Sequence, residues 1–181
     1  DTALYARLTV RETLRYFGRL YQMPSRGLET RIAELLHLFK MESYADRSVE
    51  ELSRGMRQKV VIARAILHSP DVLFMDEPTT GLDIQASADM IDFIRTYGQG
   101  RTILFATHNL TEIELLCDSV IVLQEGQIVG RPIEARGMLA AELQKAIFGH
   151  IGAWREPESS HNDGGTYETK DNLVHLCQGD A

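Results

Sequence analysis

Two adjacent carboxylates, Asp76 and Glu77, follow the apolar run Val72 to Met75. Such a run is typical of a strand buried on both faces, and ligands of open α/β sheets bind beyond the carboxyl ends of the strands. An aspartate there can hold Mg²⁺, usually through water, and the next carboxylate can polarise a water for attack on a phosphoryl group. For the pair taken alone, the alternative that both acids only cap the next helix stays open.

A second stretch that suits phosphate lies upstream, from Leu52 to Lys59. It places Ser53 and Gly55 at the start of a predicted helix, where backbone N–H groups and the helix dipole attract anions. A serine close to a glycine is also what an ordinary helix cap looks like. The position of this stretch, just before a strand that ends in Asp76 and Glu77, favours the phosphate interpretation.

Apolar periodicity predicts the elements that position these residues, beginning with three helices before any strand. The first begins at the capping-box pair Thr9 and Glu12, the second covers Leu28 to Phe39, and the third begins at Ser53.

Three short apolar runs then predict strands: Val72 to Met75, Ile103 to Ala106 and Val120 to Leu123. Helices are expected between them over Ile84 to Tyr97 and Thr111 to Leu116, the latter with Thr111 and Glu114 at capping-box spacing. This alternation implies a parallel sheet with right-handed crossovers. Glu125-Gly126 then predicts a tight turn into an edge hairpin.

Composition and charge exclude several classes of protein. The 181 residues carry 26 acidic and 19 basic side chains, a net charge of -7, so we expect no nucleic-acid partner. No apolar run approaches the roughly 20 residues of a spanning helix, and the N-terminus does not have a signal-peptide pattern. Cys117 and Cys177 are too far apart for a metal-ligand or redox pair motif, which indicates a reducing, cytosolic setting.

Together these residues resemble the ATP-binding subunits of ATP-binding-cassette (ABC) transporters over about residues 1–135. Four motifs stand in the family's order: the signature Leu52 to Lys59, the Walker B strand Val72 to Glu77, the D-loop Gly81-Leu82-Asp83, and the switch-histidine loop Thr107-His108. The resemblance implies an α/β, P-loop NTPase-like parallel sheet with an inserted helical subdomain.

The resemblance also implies the roles of the residues around the predicted strand ends. Asp76 would bind Mg²⁺, Glu77 would be the general base, and His108 would contact the γ-phosphate of ATP. Glu77 and His108 are therefore the candidate catalytic residues, and ATP and Mg²⁺ are the implied ligands.

The signature and the D-loop would serve a nucleotide held mainly by the opposite protomer of a head-to-tail dimer. Ser53 and Gly55 would contact its γ-phosphate, and Met56 is a further candidate nucleotide-binding residue. Asp83, also a candidate for nucleotide binding, would lie at the dimer interface and couple the two sites. This sequence departs from the commonest signature at two positions, since Arg54 replaces a glycine and Met56 a glutamine. The Gly-Met-Arg stretch is similar to that of export-type members.

A larger departure is that the chain contains no G-x-x-x-x-G-K-[ST] phosphate loop, or Walker A motif. Ala3-Leu4-Tyr5 and Leu8-Thr9-Val10 resemble the stretch that follows the family's Q-loop glutamine. The resemblance therefore implies that the glutamine and the phosphate loop precede Asp1. By this hypothesis the sheet lacks its N-terminal strands, and the 181-residue chain is inactive alone.

Four segments are predicted: a helical subdomain over 1–52, the remaining ATPase core over 53–135, a C-terminal helix over 136–150, and a disordered tail over 151–181 that is rich in Ser, Gly, Asp and Asn.

The resemblance implies a subunit that hydrolyses ATP to power an exporter, bound peripherally at the cytoplasmic face of the membrane to membrane-spanning permease subunits. The alternative is a non-transport cassette ATPase of translation, DNA repair or chromosome maintenance. A third hypothesis is an interaction module without catalysis, and the presence of both Glu77 and His108 argues against it. The sequence does not name the transported substrate, because membrane subunits make that choice.

Overall fold

The computed structural model describes residues 4–153 and 173–178 of the chain. The chain divides into two compact units. The first consists of Asp1–Leu73 with Gly81–Ser87, and the second of Phe74–Thr80 with Ala88–Ala181. In the part that the structure describes, no helix combines the length and the apolar character needed to cross a membrane.

The first unit is built on the three predicted helices, which are α1 (Val10–Leu20), α2 (Ser25–Leu38) and α3 (Arg54–Ala65). Single 3₁₀ turns lie between α2 and α3 at Glu42–Tyr44 and Val49–Glu51. The predicted starts of α1 and α3 are confirmed. Thr9 and Glu12 form a complete capping box, and the Ser53 side chain accepts a hydrogen bond from the backbone N–H of Met56.

Apolar faces of these helices form the core of the first unit. Its fully buried side chains include Val10, Leu14, Ile32, Leu35, Met41, Val60, Ile66 and Leu67. Gly18 of α1 has a packing role, because a Cβ atom there would clash with the side chain of Leu28 in α2. A glycine at this position allows the two helices to approach closely.

A five-stranded sheet has the order β1-β2-β5-β3-β4. Its strands are β1 (Val72–Asp76), β2 (Thr102–Ala106), β3 (Ser119–Gln124), β4 (Gln127–Glu134) and β5 (Leu173–Gln178). β2 and β3 run in the same direction, since each pairs antiparallel with β5. β3 and β4 form the predicted antiparallel hairpin.

Three further helices follow α3 in the chain: α4 (Ile84–Tyr97), α5 (Leu110–Leu116) and α6 (Ala140–Ala153). The bounds of α4 are those that the sequence predicts. α5 begins earlier, and the expected capping box of Thr111 and Glu114 is wrong. Asn109 is the N-cap instead, because its side chain accepts from the backbone N–H of Thr111 and so places Thr111 inside the first turn.

Two further expectations differ from the structure. The run Val72 to Met75 is not buried on both faces, since β1 is an edge strand with Val72 44% and Phe74 72% exposed. Leu173–Gln178, within the predicted disordered tail, forms β5 and pairs with β2 and β3. The reason is that both neighbours offer unpaired strand edges to an extended segment. Residues 154–172 and 179–181 of that tail lie outside the described residues.

Candidate active site

Glu77 follows β1 in a backbone conformation that few side chains adopt. Its φ angle is 45°, in the left-handed region, which costs a non-glycine residue about 1–3 kcal/mol. Two backbone hydrogen bonds hold the turn: the N–H of Glu77 donates to the carbonyl of Ala106 at 2.9 Å, and the N–H of Thr80 donates to the carbonyl of Glu77 at 3.1 Å. The turn therefore fixes the end of β1 to the end of β2.

The side chain of Glu77 meets that of His108, which lies two residues beyond β2. Glu77 Oε1 and His108 Nδ1 are 2.7 Å apart, and Thr80 Oγ1 donates to Glu77 Oε2 at 2.6 Å. An ionised carboxylate can only accept, so Nδ1 carries the hydrogen and Nε2 is left for another partner. The His108 side chain is 72% exposed and that of Glu77 32%, so both are accessible to a ligand.

A buried carboxyl group supports the two loops that carry this pair, and it was not predicted from the sequence. Glu112, in the first turn of α5, is only 4% exposed. Its side chain accepts hydrogen bonds from Thr79, from Thr107 at 2.8 Å and from Asn109 at 3.0 Å. The spacing Asn109-x-x-Glu112 directly after a strand is the signal in the sequence, and the capping-box spacing of Thr111 and Glu114 competes with it.

Asp76, the predicted magnesium ligand, is the last residue of β1 and is exposed. The described residues contain no group of three or more His, Cys, Asp or Glu side chains arranged to hold a metal. Mg²⁺ that accompanies a nucleotide usually takes only one or two protein carboxylates, its other ligands being phosphate oxygens and water. A single exposed carboxylate beside Glu77 therefore fits such an ion.

The signature and D-loop residues meet each other within the first unit. Gly55 lies in the first turn of α3, and a Cβ atom there would be 3.2 Å from Cβ of Ala86. Asp83 precedes α4, and its Oδ1 accepts from the backbone N–H of Ala86 at 2.8 Å. A capping role thus accounts for the positions of Ser53 and Asp83, while Met56 is half-buried. Their predicted contacts with a nucleotide and with a second protomer stay predictions.

Comparison with known proteins identifies related sequences over most of the chain. The family model described as "ABC transporter" matches residues 1–80. The ABC transporter ATP-binding protein NatA of Bacillus subtilis is 46% identical over 132 residues, which are 72% of this chain and 54% of that protein. The Nod factor export ATP-binding protein I of Burkholderia lata is 45% identical over 120 residues, or 66% of this chain and 40% of that protein. The chain spans about half the length of these relatives.

Solved structures give the same result. The structure of an ATP-binding subunit of an ABC transporter superposes with a TM-score of 0.67 at 30% identity, covering 81% of this chain and 65% of that one. The cassette MJ0796, described as a dimer in a post-hydrolysis state with ADP and Pi, gives a TM-score of 0.65 at 25% identity, covering 76% and 61%. Clostridium perfringens cbiO1, described as part of the ABC transporter complex cbiONQ, superposes with a TM-score of 0.66 at 25% identity. The match covers 82% of this chain and 57% of that one. The P-loop NTPase α/β fold expected from the sequence is thereby confirmed.

Proposed function

Since the chain is homologous to the ATP-binding subunits of ABC transporters, we propose that it carries the hydrolytic residues of an Mg-ATP-driven exporter. The observation that supports this most directly is the hydrogen bond between Glu77 and His108 at the ends of β1 and β2. The similarity to an ABC transporter ATP-binding protein and to a Nod factor export protein favours transport over a non-transport cassette ATPase.

In the proposed reaction, Glu77 orients the attacking water and accepts its proton. Thr80 and His108 hold the Glu77 carboxylate from two sides, which fixes its direction before a nucleotide binds. Nε2 of His108 then contacts the γ-phosphate. Asp76 would hold Mg²⁺, which supplies positive charge to the phosphate oxygens when it is bound.

The N-terminus of α3 is proposed to act on a nucleotide held mainly by a second protomer. Ser53, Gly55 and Met56 begin this helix, and the backbone dipole there favours a phosphate group. Asp83 would lie at the interface with that protomer. The dimeric solved cassette supports this arrangement by similarity.

A surface for the permease subunit is proposed on the segment from Tyr5 to Phe39. Large apolar side chains remain exposed there: Tyr5, Tyr16, Leu20, Tyr21 and Leu38. Tyr5 and Tyr16 pack edge to face with ring centroids 5.2 Å apart, which gives the surface a fixed shape. Docking to a permease would place the subunit peripherally at the cytoplasmic face of the membrane.

No phosphate loop motif is present in the 181 residues, so we expect the chain alone to hydrolyse little or no ATP. Contacts with the β- and γ-phosphates supply much of the affinity for ATP, and binding without them is expected to be about millimolar or weaker. Tests of activity therefore use the full-length protein.

The decisive experiment is the substitution Glu77→Gln in the full-length protein. Gln keeps the shape of the side chain and cannot accept the proton, so hydrolysis of Mg-ATP should fall at least about 100-fold while ATP still binds. Phosphate release and nucleotide binding are measured on the same preparation.

Glu125→Gln is the matched control, because Glu125 is an exposed glutamate in the hairpin turn and far from the proposed chemistry in sequence. It should hydrolyse ATP at the wild-type rate. Near-wild-type hydrolysis by Glu77→Gln would contradict the assignment of Glu77 as the base.

A further inference from the structure

Buried polar side chains are few in the described part of the chain, and most of them meet at one place. Within residues 4–150, the buried polar or charged side chains are Thr13, Thr79, Thr107 and Glu112. Thr79 and Thr107 both donate hydrogen bonds to Glu112. Burying a carboxyl group costs free energy unless its oxygens accept hydrogen bonds. Loss of one hydrogen bond therefore destabilises the whole cluster.

Both oxygens of the Glu112 carboxyl group are engaged, and they face two different loops. Oε1 accepts from the hydroxyl of Thr79, in the turn that follows Glu77. Oε2 accepts from the hydroxyl of Thr107 at 2.8 Å, and Oε1 also accepts from the amide of Asn109 at 3.0 Å. Thr107 and Asn109 are the two residues that flank His108.

We propose that Glu112 is a positioning residue that holds the Glu77 turn and the His108 loop in register, so that His108 Nδ1 meets Glu77 Oε1. This inference rests on the proposed function only for its effect on hydrolysis. The hydrogen bond between His108 and Glu77 is 2.7 Å long and joins side chains that are 72% and 32% exposed, so water can compete with it. Glu112 supplies a support for this pair that water does not reach. The buried cluster is shielded from water and fixes the backbone on both sides of the pair.

Side-chain length is the property on which this role depends. Gln at position 112 would still reach both loops, although its amide nitrogen cannot accept a hydrogen bond from a hydroxyl. Asp is one methylene shorter and cannot span the same two loops without movement of the backbone. We therefore expect Gln to retain more of the geometry than Asp or Ala.

The first measurement is the ring ¹⁵N signals of His108 in the 181-residue chain, assigned by comparison with His108→Gln. The change seen in Glu77→Gln defines how these signals report loss of the Glu77 contact. Glu112→Ala and Glu112→Asp should shift the His108 signals in the same direction, and Glu112→Gln should shift them less.

Ile113→Val is the matched control, because Ile113 is a fully buried neighbour on the same helix and makes no side-chain hydrogen bond. It should lower the thermal unfolding midpoint and leave the His108 signals unchanged. If Glu112→Ala does not fold, Thr79→Val and Thr107→Val each remove one hydroxyl donor at similar volume and should shift the same signals.

The second measurement is steady-state hydrolysis by the full-length protein. Glu112→Ala should lower kcat on the order of 10- to 100-fold with KM little changed, since a small misplacement of catalytic groups has effects of that size. A shifted His108 signal with no hydrolysis by the wild-type protein would support the positioning role and contradict the proposed function. Unchanged His108 signals in folded Glu112→Ala, or in both threonine variants, would overturn the positioning role.

Discussion

Glu77 and Gly81 both adopt left-handed backbone conformations within five residues of each other, and only one of them is a glycine. At Glu77 the strain is balanced by hydrogen bonds to Ala106, Thr80 and His108. At Gly81, with φ 72°, the missing Cβ leaves room for the guanidinium group of Arg54. Arg54 is a position where this sequence departs from the commonest signature, so the departure is accommodated within the first unit.

Glycine-to-alanine variants separate the two reasons for a glycine at position 81, which are the positive φ of Gly81 and the close approach of Arg54. Gly81→Ala should destabilise the chain by about 1–2 kcal/mol through its positive φ, with an added cost from displacing Arg54. Gly100→Ala has nearly the same φ, 70°, and no atom near the new Cβ, so it measures the backbone cost alone. Urea unfolding of the 181-residue chain gives both values.

Gly27→Ala is the control for these variants, since Gly27 lies in helix α2 with open space around the new Cβ. It should stabilise the chain by about 0.5–1 kcal/mol. Equal effects of Gly81→Ala and Gly100→Ala would show that Arg54 moves aside at no cost.

At the residue scale the sequence predicted Glu77 and His108 as candidate catalytic residues, but neither their contact nor its support. The contact is a finding of the structure, in which Glu77 Oε1 and His108 Nδ1 are 2.7 Å apart. The spacing Asn109-x-x-Glu112 indicates only the local part of that support, because the partner Thr79 lies 33 positions earlier and no local pattern encodes this contact. Local spacing reveals hydrogen bonds within a turn, whereas those between loops depend on the completed sheet.

At the element scale, helix starts with a capping side chain were predictable. Thr9 and Ser53 cap α1 and α3 as expected, because their hydrogen bonds join residues three apart. The exposure of β1 does not follow from its apolar run, since such a run does not show whether a strand is central or at an edge. The capping box of α1 includes the carboxylate of Glu12, whose contribution to stability depends on pH.

Glu12 is the residue that makes α1 sensitive to pH. The pKa of Glu12 is lowered, first by the hydrogen bond from the backbone N–H of Thr9 and then by the Thr9 hydroxyl. A lowered pKa in the folded state stabilises the protein above the ordinary value of 4.5, and this contribution is lost as the pH falls through the folded-state pKa.

Glu12→Gln should therefore unfold at a lower temperature than wild type at pH 7, and the difference should shrink below pH 4.5. Gln keeps an oxygen acceptor for Thr9 but does not carry a charge, so the pH-dependent part belongs to the carboxylate. Thermal unfolding followed by circular dichroism at pH 7 and pH 3 measures it. A difference of the same size at both values would contradict this origin.

At the scale of the whole molecule, the proposed permease surface can be tested with two leucines of equal exposure. Leu20 in α1 and Leu139 before α6 are each 62% exposed. Leu20→Glu places a charge in the proposed surface and should abolish transport by the reconstituted transporter while hydrolysis by the subunit largely persists. An apolar docking surface is sensitive to a single charge because the charge must lose its water on binding.

Leu139→Glu is the control for this test and should leave transport and hydrolysis at wild-type levels. If Leu20→Glu lowers hydrolysis and the unfolding temperature together, the side chain supports the fold rather than a partner. Equal loss of transport in both leucine variants would place the permease contact elsewhere.

The place of β5 between β2 and β3 also sets the order in which the sheet can be made on the ribosome. β3 and β4 are adjacent in the chain and can pair as soon as both have emerged. Among the described strands, β2 is joined to that hairpin through β5, which pairs with Ile103 and Phe105 on one side and with Val120 and Val122 on the other. Among the described strands the central one is the last in chain order, and closing the sheet requires contacts between residues far apart in sequence, a topology that slows folding. While residues 107–172 are translated, the edge of β2 that β5 will occupy stays open, an interval in which protection from aggregation is needed.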